Sequence, residues 1–426
     1  MGSGARRPEG VGQLMEDIAP AVGAPRVLWL ARTLPLPLNA GDRIYTAAIA
    51  EALARAGARV TYLGLANPDE AMGSRAALSA AVDWVEVPGA PTGRARALLS
   101  ARPLVARRFD TPAYRVRLAA ALERLRPDVV VLDQYALVWA LPLVRRARPR
   151  PLLVHVAHDA ETEVTREIAR ATRGNPVRRA LLAQNALKTA RAEAALLRGC
   201  DALVTLTEHD GDVLGRLDPS VARLVVPPGY GWAPRAPRVI THAVPRQVVI
   251  LGSYHWVAKQ MNLVDFLRRG GPALAQAGIG CRVVGAAPEE ALRRWRAEFP
   301  AVEFLGFVED VQPVLDDARL GLVVETTGGG FKLKMLDYLF RRVPMAGIEG
   351  ALRGLPDDVA CHVLAAPDAA RLADGVVARI DDVDALQAMQ VAAFEAARDR
   401  FDWSRNGDRL LAFLRGLLAR PPGAAS

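Results

Sequence analysis

The sequence predicts an α/β protein of two Rossmann-like, doubly wound parallel-sheet domains facing across a cleft, finished by a C-terminal helix. Three observations carry this expectation. Short apolar, β-branched runs alternate with amphipathic helical stretches along the chain. The alternation occurs twice, in halves separated by the proline-rich, aperiodic segment Pro227 to Pro245, which reads as a linker. At 426 residues, 51% of them hydrophobic, the chain is also too long for one ordinary domain.

Residues 1–24 are rich in Gly, Ala and Pro and lack periodicity, as expected of a disordered tail. The first domain, 25–237, opens with the apolar run Arg26 to Leu30 and the loop Thr33 to Arg43, punctuated by proline and glycine. A helix from Ile44 to Ala56 is stopped by Gly57, and Arg59 to Leu63 is a second strand. Further strands are predicted at Trp84 to Val87, at Asp128 to Leu132 with Asp133 at its end, at Leu152 to Val156, at Ala202 to Leu206 and at Leu224 to Val226. Helices are predicted at Tyr114 to Leu125 and from Arg178 to Arg198. The second domain, 238–402, repeats the pattern with strands at Val248 to Leu251, Cys281 to Val284, Val302 to Leu305 and Leu320 to Val324. Leu263 to Ala277 and the chain from Ala365 onward read as helical, and 403–426 as a terminal helix to about Leu418 with a short tail.

The most informative stretch is Leu320 to Gly347, LGLVVETTGGGFKLKMLDYLFRRVPMAG. An apolar strand meets the glycines Gly328, Gly329 and Gly330, and then a segment in which Leu333, Leu336 and Phe340 keep helical spacing until Pro344. Lys332 and Lys334 fall in the first helical turn, and Asp337 follows Lys334 by three residues. Glycine lets an anion approach the backbone, and a helix N-terminus offers unpaired N–H groups. Glycines, two lysines and a carboxylate together suit a diphosphate and a sugar hydroxyl. The same spacing also suits an ordinary glycine turn with solvated lysines. Neither the Walker pattern nor G-x-G-x-x-G is present.

Composition narrows the classes. The three cysteines, Cys200, Cys281 and Cys361, are scattered and form no CxxC, against a disulfide framework or structural zinc. No apolar run before Pro25 reads as a signal peptide, and none approaches the ~18 residues of a membrane span. A soluble, cytoplasmic protein is expected. The formal charge of +9 comes without any nucleic-acid-binding pattern, so no nucleic-acid partner is expected. Arg94, Arg96, Arg102, Arg107, Arg108, Arg115 and Arg117 crowd around the single acid Asp110. That segment reads as a solvated helix face or as peripheral contact, through 94–117, with the anionic inner face of a membrane.

GGGFKLKMLDYLFRRVPM resembles the G-x-G-T-R-L-K-x-L-E-A-M-A-x-G-x-P-V segment of GT-B-fold retaining glycosyltransferases of family 4. In that family the loop and basic residues hold the donor diphosphate and the carboxylate holds the ribose. The resemblance implies donor-binding roles for Gly328, Gly329, Gly330, Phe331, Lys332, Lys334 and Asp337. HDAE (His158 to Glu161) resembles the family's H-N-x-E, which implies a place for His158 beside the donor sugar or acceptor. Gly41 and Arg43 fall where members carry G-G-x-x-R, while Ser253 and Lys259, in LGSYHWVAKQMN, match the first loop of the donor domain. Glu208 and GFVEDV (Gly306 to Val311) match further segments weakly. His155, inside a strand, reads as a core histidine.

Two departures stand out: Asp337 replaces the usual Glu, and Gly329 occupies the place of a second acid. The implied function is retaining transfer of a sugar from a nucleoside diphosphate sugar to a glycan, lipid-linked or small-molecule acceptor, as in polysaccharide biosynthesis. No cofactor or metal is expected, since lysines can neutralise a leaving diphosphate. The rivals are a non-catalytic nucleotide-sugar-binding subunit and a nucleotide-sugar epimerase on the same fold.

Overall fold

The structure, a computed structural model, describes residues 23–66, 75–93, 97, 100–172, 174–231, 236–326 and 329–420. Most of the 1–24 tail, and Arg94, Arg96 and Gly328, lie outside the described residues.

The first domain contains β1 (Arg26–Thr33), β2 (Arg59–Leu65), β3 (Asp83–Val87), β4 (Val129–Asp133), β5 (Leu152–Ala157), β6 (Ala202–Thr205) and β7 (Ala222–Val225). They pair in parallel in the order β3-β2-β1-β4-β5-β6-β7. The second contains β8 (Gln247–Leu251), β9 (Gly280–Val284), β10 (Val302–Gly306), β11 (Leu320–Val323), β12 (Met345–Ile348) and β13 (Leu364–Ala366), in the order β10-β9-β8-β11-β12-β13. A parallel sheet has helices on both faces, so its central strands are apolar throughout rather than alternating. β4 is buried at every position. In each sheet the winding reverses between the first strand and the fourth, β1/β4 and β8/β11. A crevice opens beyond the carboxyl ends of such strands.

The final helix, Trp403–Leu418, leaves the second domain and packs on Gly41–Arg55 of the first. Asp402 caps it, accepting from the Ser404 and Arg405 amides. Asn406 Nδ2 donates to Pro227 O at 2.6 Å, and Arg409 Nη2 to Val225 O at 3.0 Å. The Tyr230 amide donates to Phe401 O at 2.8 Å. One continuous apolar core therefore spans both domains, from Trp29 and Tyr45 to Phe331, Phe340 and Phe401.

Several sequence expectations are corrected. The first helix begins at Gly41, so Gly41 and Arg43 lie in its opening turn rather than in a loop. The helical run 263–277 is two helices, Val257–Arg269 and Gly271–Gln276, because Pro272 has no N–H to continue the first. Ala365 lies in β13, with the helix starting at Ala369. The helix after the glycines is Lys334–Phe340, which leaves Lys332 before it.

The close approach of the terminal helix can be tested at Gly407, where an added Cβ would lie 2.4 Å from Ala52 O. Gly407→Ala is expected to lower stability by about 1–3 kcal/mol in denaturant unfolding. Gly416, in the same helix, faces open space. Gly416→Ala is expected to leave stability unchanged or raise it by up to ~1 kcal/mol.

Candidate active site

On the first-domain side, Asp133 ends β4 and His158 follows β5, so parallel pairing brings the two strand ends together. His158 Nε2 lies 2.8 Å from Asp133 Oδ1. Trp29 Nε1 and Thr46 Oγ1 donate to Asp133 Oδ2 at 3.0 and 2.7 Å. These two donors fix the carboxylate, which in turn fixes the imidazole, and Tyr45 packs edge-on against the ring. Burial pushes the His158 imidazole down, but Asp133, with smaller help from Asp42 and Asp159, lifts it above its ordinary 6.5. The stability gained is therefore fully present below pH 6.5 and lost as pH rises through the folded value. Gln134 Nε2 lies 3.4 Å from Nδ1, so a neutral ring accepts from the amide there, and on protonation the amide must turn to present its oxygen. Gln134 holds φ 71° and ψ 155°, a conformation costing about 1–3 kcal/mol outside glycine. His155 is a core residue, as its place inside the strand implies. Its Nδ1 lies 3.1 Å from Leu132 O, and burial pushes it down to about 4.

On the second-domain side, β11 runs into Glu325, which is 6% exposed. Lys334 Nζ lies 2.6 Å from Glu325 Oε1, and Lys332 Nζ donates to Gly330 O at 3.1 Å and to Gly329 O. Burial pushes the Glu325 carboxyl up, but Lys334, Lys332 and Lys259 together hold it below the usual range. Burial, then Lys334, lower the Lys259 ammonium. Three lysines thus share one neighbourhood with the buried Glu325, whose Oε2 has no hydrogen-bond partner among the described residues.

The two sides touch through glycine. Gly330 has φ 66°, and a Cβ there would lie 2.4 Å from Asp159 Oδ1 and 2.6 Å from His158 O. A Cβ on Gly41 would lie 3.3 Å from Leu333 Cδ1. The turn carrying His158 therefore rests on the loop carrying the lysines. Asp159 is raised by burial and drawn back down by Lys332 across that contact.

His158, Gly41, Gly329, Gly330, Lys332, Lys334 and Lys259 are thus gathered at one cleft. The other sequence candidates sit differently. Phe331 is buried against Phe401, with ring centroids 5.6 Å apart. Arg43 Nη1 donates to Pro37 O and Asn39 Oδ1, on the loop before its helix. Asp337 lies 3.5 Å from Arg341 on its own helix, and burial raises it more than Arg341 lowers it. Ser253 is half-buried just past β8. Among the described residues, no three His, Cys, Asp or Glu side chains converge to hold a metal.

Sequence reasoning missed Glu325, although an acid directly after a buried strand and before glycines was a usable signal. Asp133 was seen only as a strand end. Its partners Trp29 and His158 lie 104 and 25 residues away, beyond any local pattern.

Removing one partner of a buried ion pair leaves the other charge unsolvated, at a cost of about 3–5 kcal/mol. Lys334→Met is expected to destabilise the protein toward that range, discounted by the neighbouring lysines. Adding Glu325→Gln should restore most of the loss in urea unfolding.

Comparison with known proteins agrees with this architecture. The family models "Glycosyl transferase 4-like domain" and "Glycosyl transferases group 1" match residues 41–229 and 245–382. No curated protein matches the sequence. Among solved structures, sucrose-phosphate synthase from Thermosynechococcus elongatus superposes with a TM-score of 0.70 at 16% identity, covering 93% of this chain and 99% of its own. Anabaena HepE, solved with UDP and glucose, gives 0.64 at 16% identity, covering 92% and 100%. WaaG, a glycosyltransferase involved in lipopolysaccharide biosynthesis, gives 0.63 at 16% identity, covering 92% and 100%. With both halves matched and the two-domain fold shared, the chain belongs to the group 1 glycosyltransferases of GT-B fold and is a transferase enzyme.

Proposed function

We propose that the enzyme moves a sugar from a nucleoside diphosphate sugar to an acceptor hydroxyl, with retention at the anomeric carbon. The observation that carries this reading is the cluster of Lys259, Lys332 and Lys334 at a glycine-lined cleft, with Lys334 held by the buried Glu325. Three ammonium groups outnumber the carboxylates that face them, Glu325 and, from the first domain, Asp159, and a diphosphate complements the remaining positive charge. Fixed charge at the place where negative charge develops is the most effective use of such groups. Lys334, held by Glu325, and Lys259 stabilise the departing diphosphate. Lys332 exchanges its backbone carbonyl partners for phosphate oxygens. Asp337, a helical turn further on and a third exposed, takes the ribose hydroxyls. No metal is needed in this scheme.

His158 positions the transferred sugar and acceptor, oriented by Asp133 and Gln134, and forms no covalent bond. Attack then occurs on the face the diphosphate leaves. Retention rests on the resemblance to family 4, and the nucleotide-sugar donor also fits the neighbour solved with UDP and with UDP-glucose. The acceptor is a lipid-linked glycan or a small molecule.

Thermal-shift measurements with UDP, GDP, ADP and TDP test the donor site. A ligand at 100 times its Kd stabilises by about 2.7 kcal/mol. One nucleoside diphosphate is expected to raise Tm, and Lys332→Ala/Lys334→Ala to abolish the rise while remaining folded. The corresponding sugar nucleotide should show donor turnover that the variant loses by about 10²-fold or more. No shift with any nucleotide at millimolar concentration would overturn the donor-site reading.

A further inference from the structure

Four of the described arginines of the 94–117 segment are engaged within the fold, while Arg117 is exposed. Arg102 and Arg115 both turn onto the buried Asp110, at 2.9 Å for Arg115 Nη2. Arg107 Nη1 donates to Asp110 O at 2.9 Å, and Arg108 Nε to Thr92 O at 3.3 Å. These guanidiniums brace their own fold. A different surface carries exposed arginine and exposed apolar side chains together.

Helices Glu161–Ala171 and Pro176–Gly199 form a closely packed antiparallel hairpin. The C-terminal half of the longer helix is anchored: Ala186, Thr189, Ala192, Leu196 and Leu197 are buried. Its N-terminal half runs outward with no buried residue before Ala186. Val177, Leu181 and Leu187 there are 67%, 42% and 57% exposed. Val177 and Leu181, four residues apart, lie on one helix face. Arg178, Arg179 and Arg191 on the same helix, and Arg166 and Arg170 on its partner, are exposed. Apolar side chains bordered by exposed arginines complement a bilayer with anionic headgroups, the apolar groups entering the acyl boundary and the guanidiniums meeting phosphates.

We propose that the outer end of this hairpin docks the enzyme on an anionic lipid surface. The shorter helix starts at the lip of the cleft, where Val164 Cγ2 would lie 3.2 Å from a Cβ on Gly329. Its 11 residues, at ~1.5 Å each, span about 16 Å from cleft to hairpin end. Docking therefore brings the cleft close to the bilayer, and, resting on the glycosyltransfer reading above, makes the acceptor one presented at a membrane.

Co-sedimentation of the full-length protein with vesicles tests the docking without reference to catalysis. Binding is expected to phosphatidylcholine vesicles containing phosphatidylglycerol and to be weak to phosphatidylcholine alone. Arg178→Ala/Arg179→Ala should lower the partition coefficient roughly tenfold or more. Val177→Ser/Leu181→Ser should weaken binding and leave a residue that added salt removes. Both variants change exposed positions, so unchanged Tm and unchanged nucleotide stabilisation are expected. Absence of binding to anionic vesicles, or equal binding by both variants and wild type, would overturn the proposal. So would a concentration-dependent dimer that both variants abolish without any vesicle binding, which would assign the face to a second copy of this chain. Absence of any nucleotide response in the wild type, with vesicle binding intact, would instead overturn the donor-site reading alone.

Discussion

The site depends on one buried carboxylate. Lys259 loses solvation at the cleft and is repelled by Lys334 and Lys332. Glu325, placed by the end of β11, offsets both effects and fixes Lys334 at 2.6 Å. A carboxylate so buried stays ionised because the lysines outweigh its own desolvation. Among the described residues its second oxygen has no hydrogen-bond partner. Three lysines against Glu325 and, across the cleft, Asp159 leave positive charge available to a ligand.

The same economy of contacts holds the two domains together. Each contributes the carboxyl ends of its strands at the point where its sheet winding reverses, and the terminal helix carries the chain back across the pair. Glycine at 330 permits a backbone approach to the His158–Asp159 turn that any side chain would block. The cleft is consequently lined by groups whose charges feel one another across it: Asp42 perturbs both His158 and Lys259. Motion of one domain against the other would therefore change the electrostatics of the histidine and the lysines together.

The fold was legible because parallel strands buried on both faces leave continuous apolar runs, such as Val129 to Leu132, and because the winding repeats in each half. Element ends were less legible. β13 is three residues long and adjoins a helix of similar apolarity, so periodicity merged them. Within the site, the glycines and lysines showed themselves by local spacing. Glu325 and Asp133 did not, since each acquires its meaning from partners that only the fold brings near. Arginine density likewise conceals how individual arginines are engaged. Asp110, one acid among seven arginines, binds Arg102 and Arg115 by side chain and Arg107 by its carbonyl, which no count of charges reveals.

The most direct measurement is a diffraction structure of the protein crystallised with a nucleoside diphosphate. The account predicts diphosphate oxygens within about 3.2 Å of Lys334 Nζ and of Lys259 or Lys332 Nζ, with Lys334 still on Glu325. A diphosphate bound in the first domain, beside Arg43, with the lysines unengaged, would contradict it.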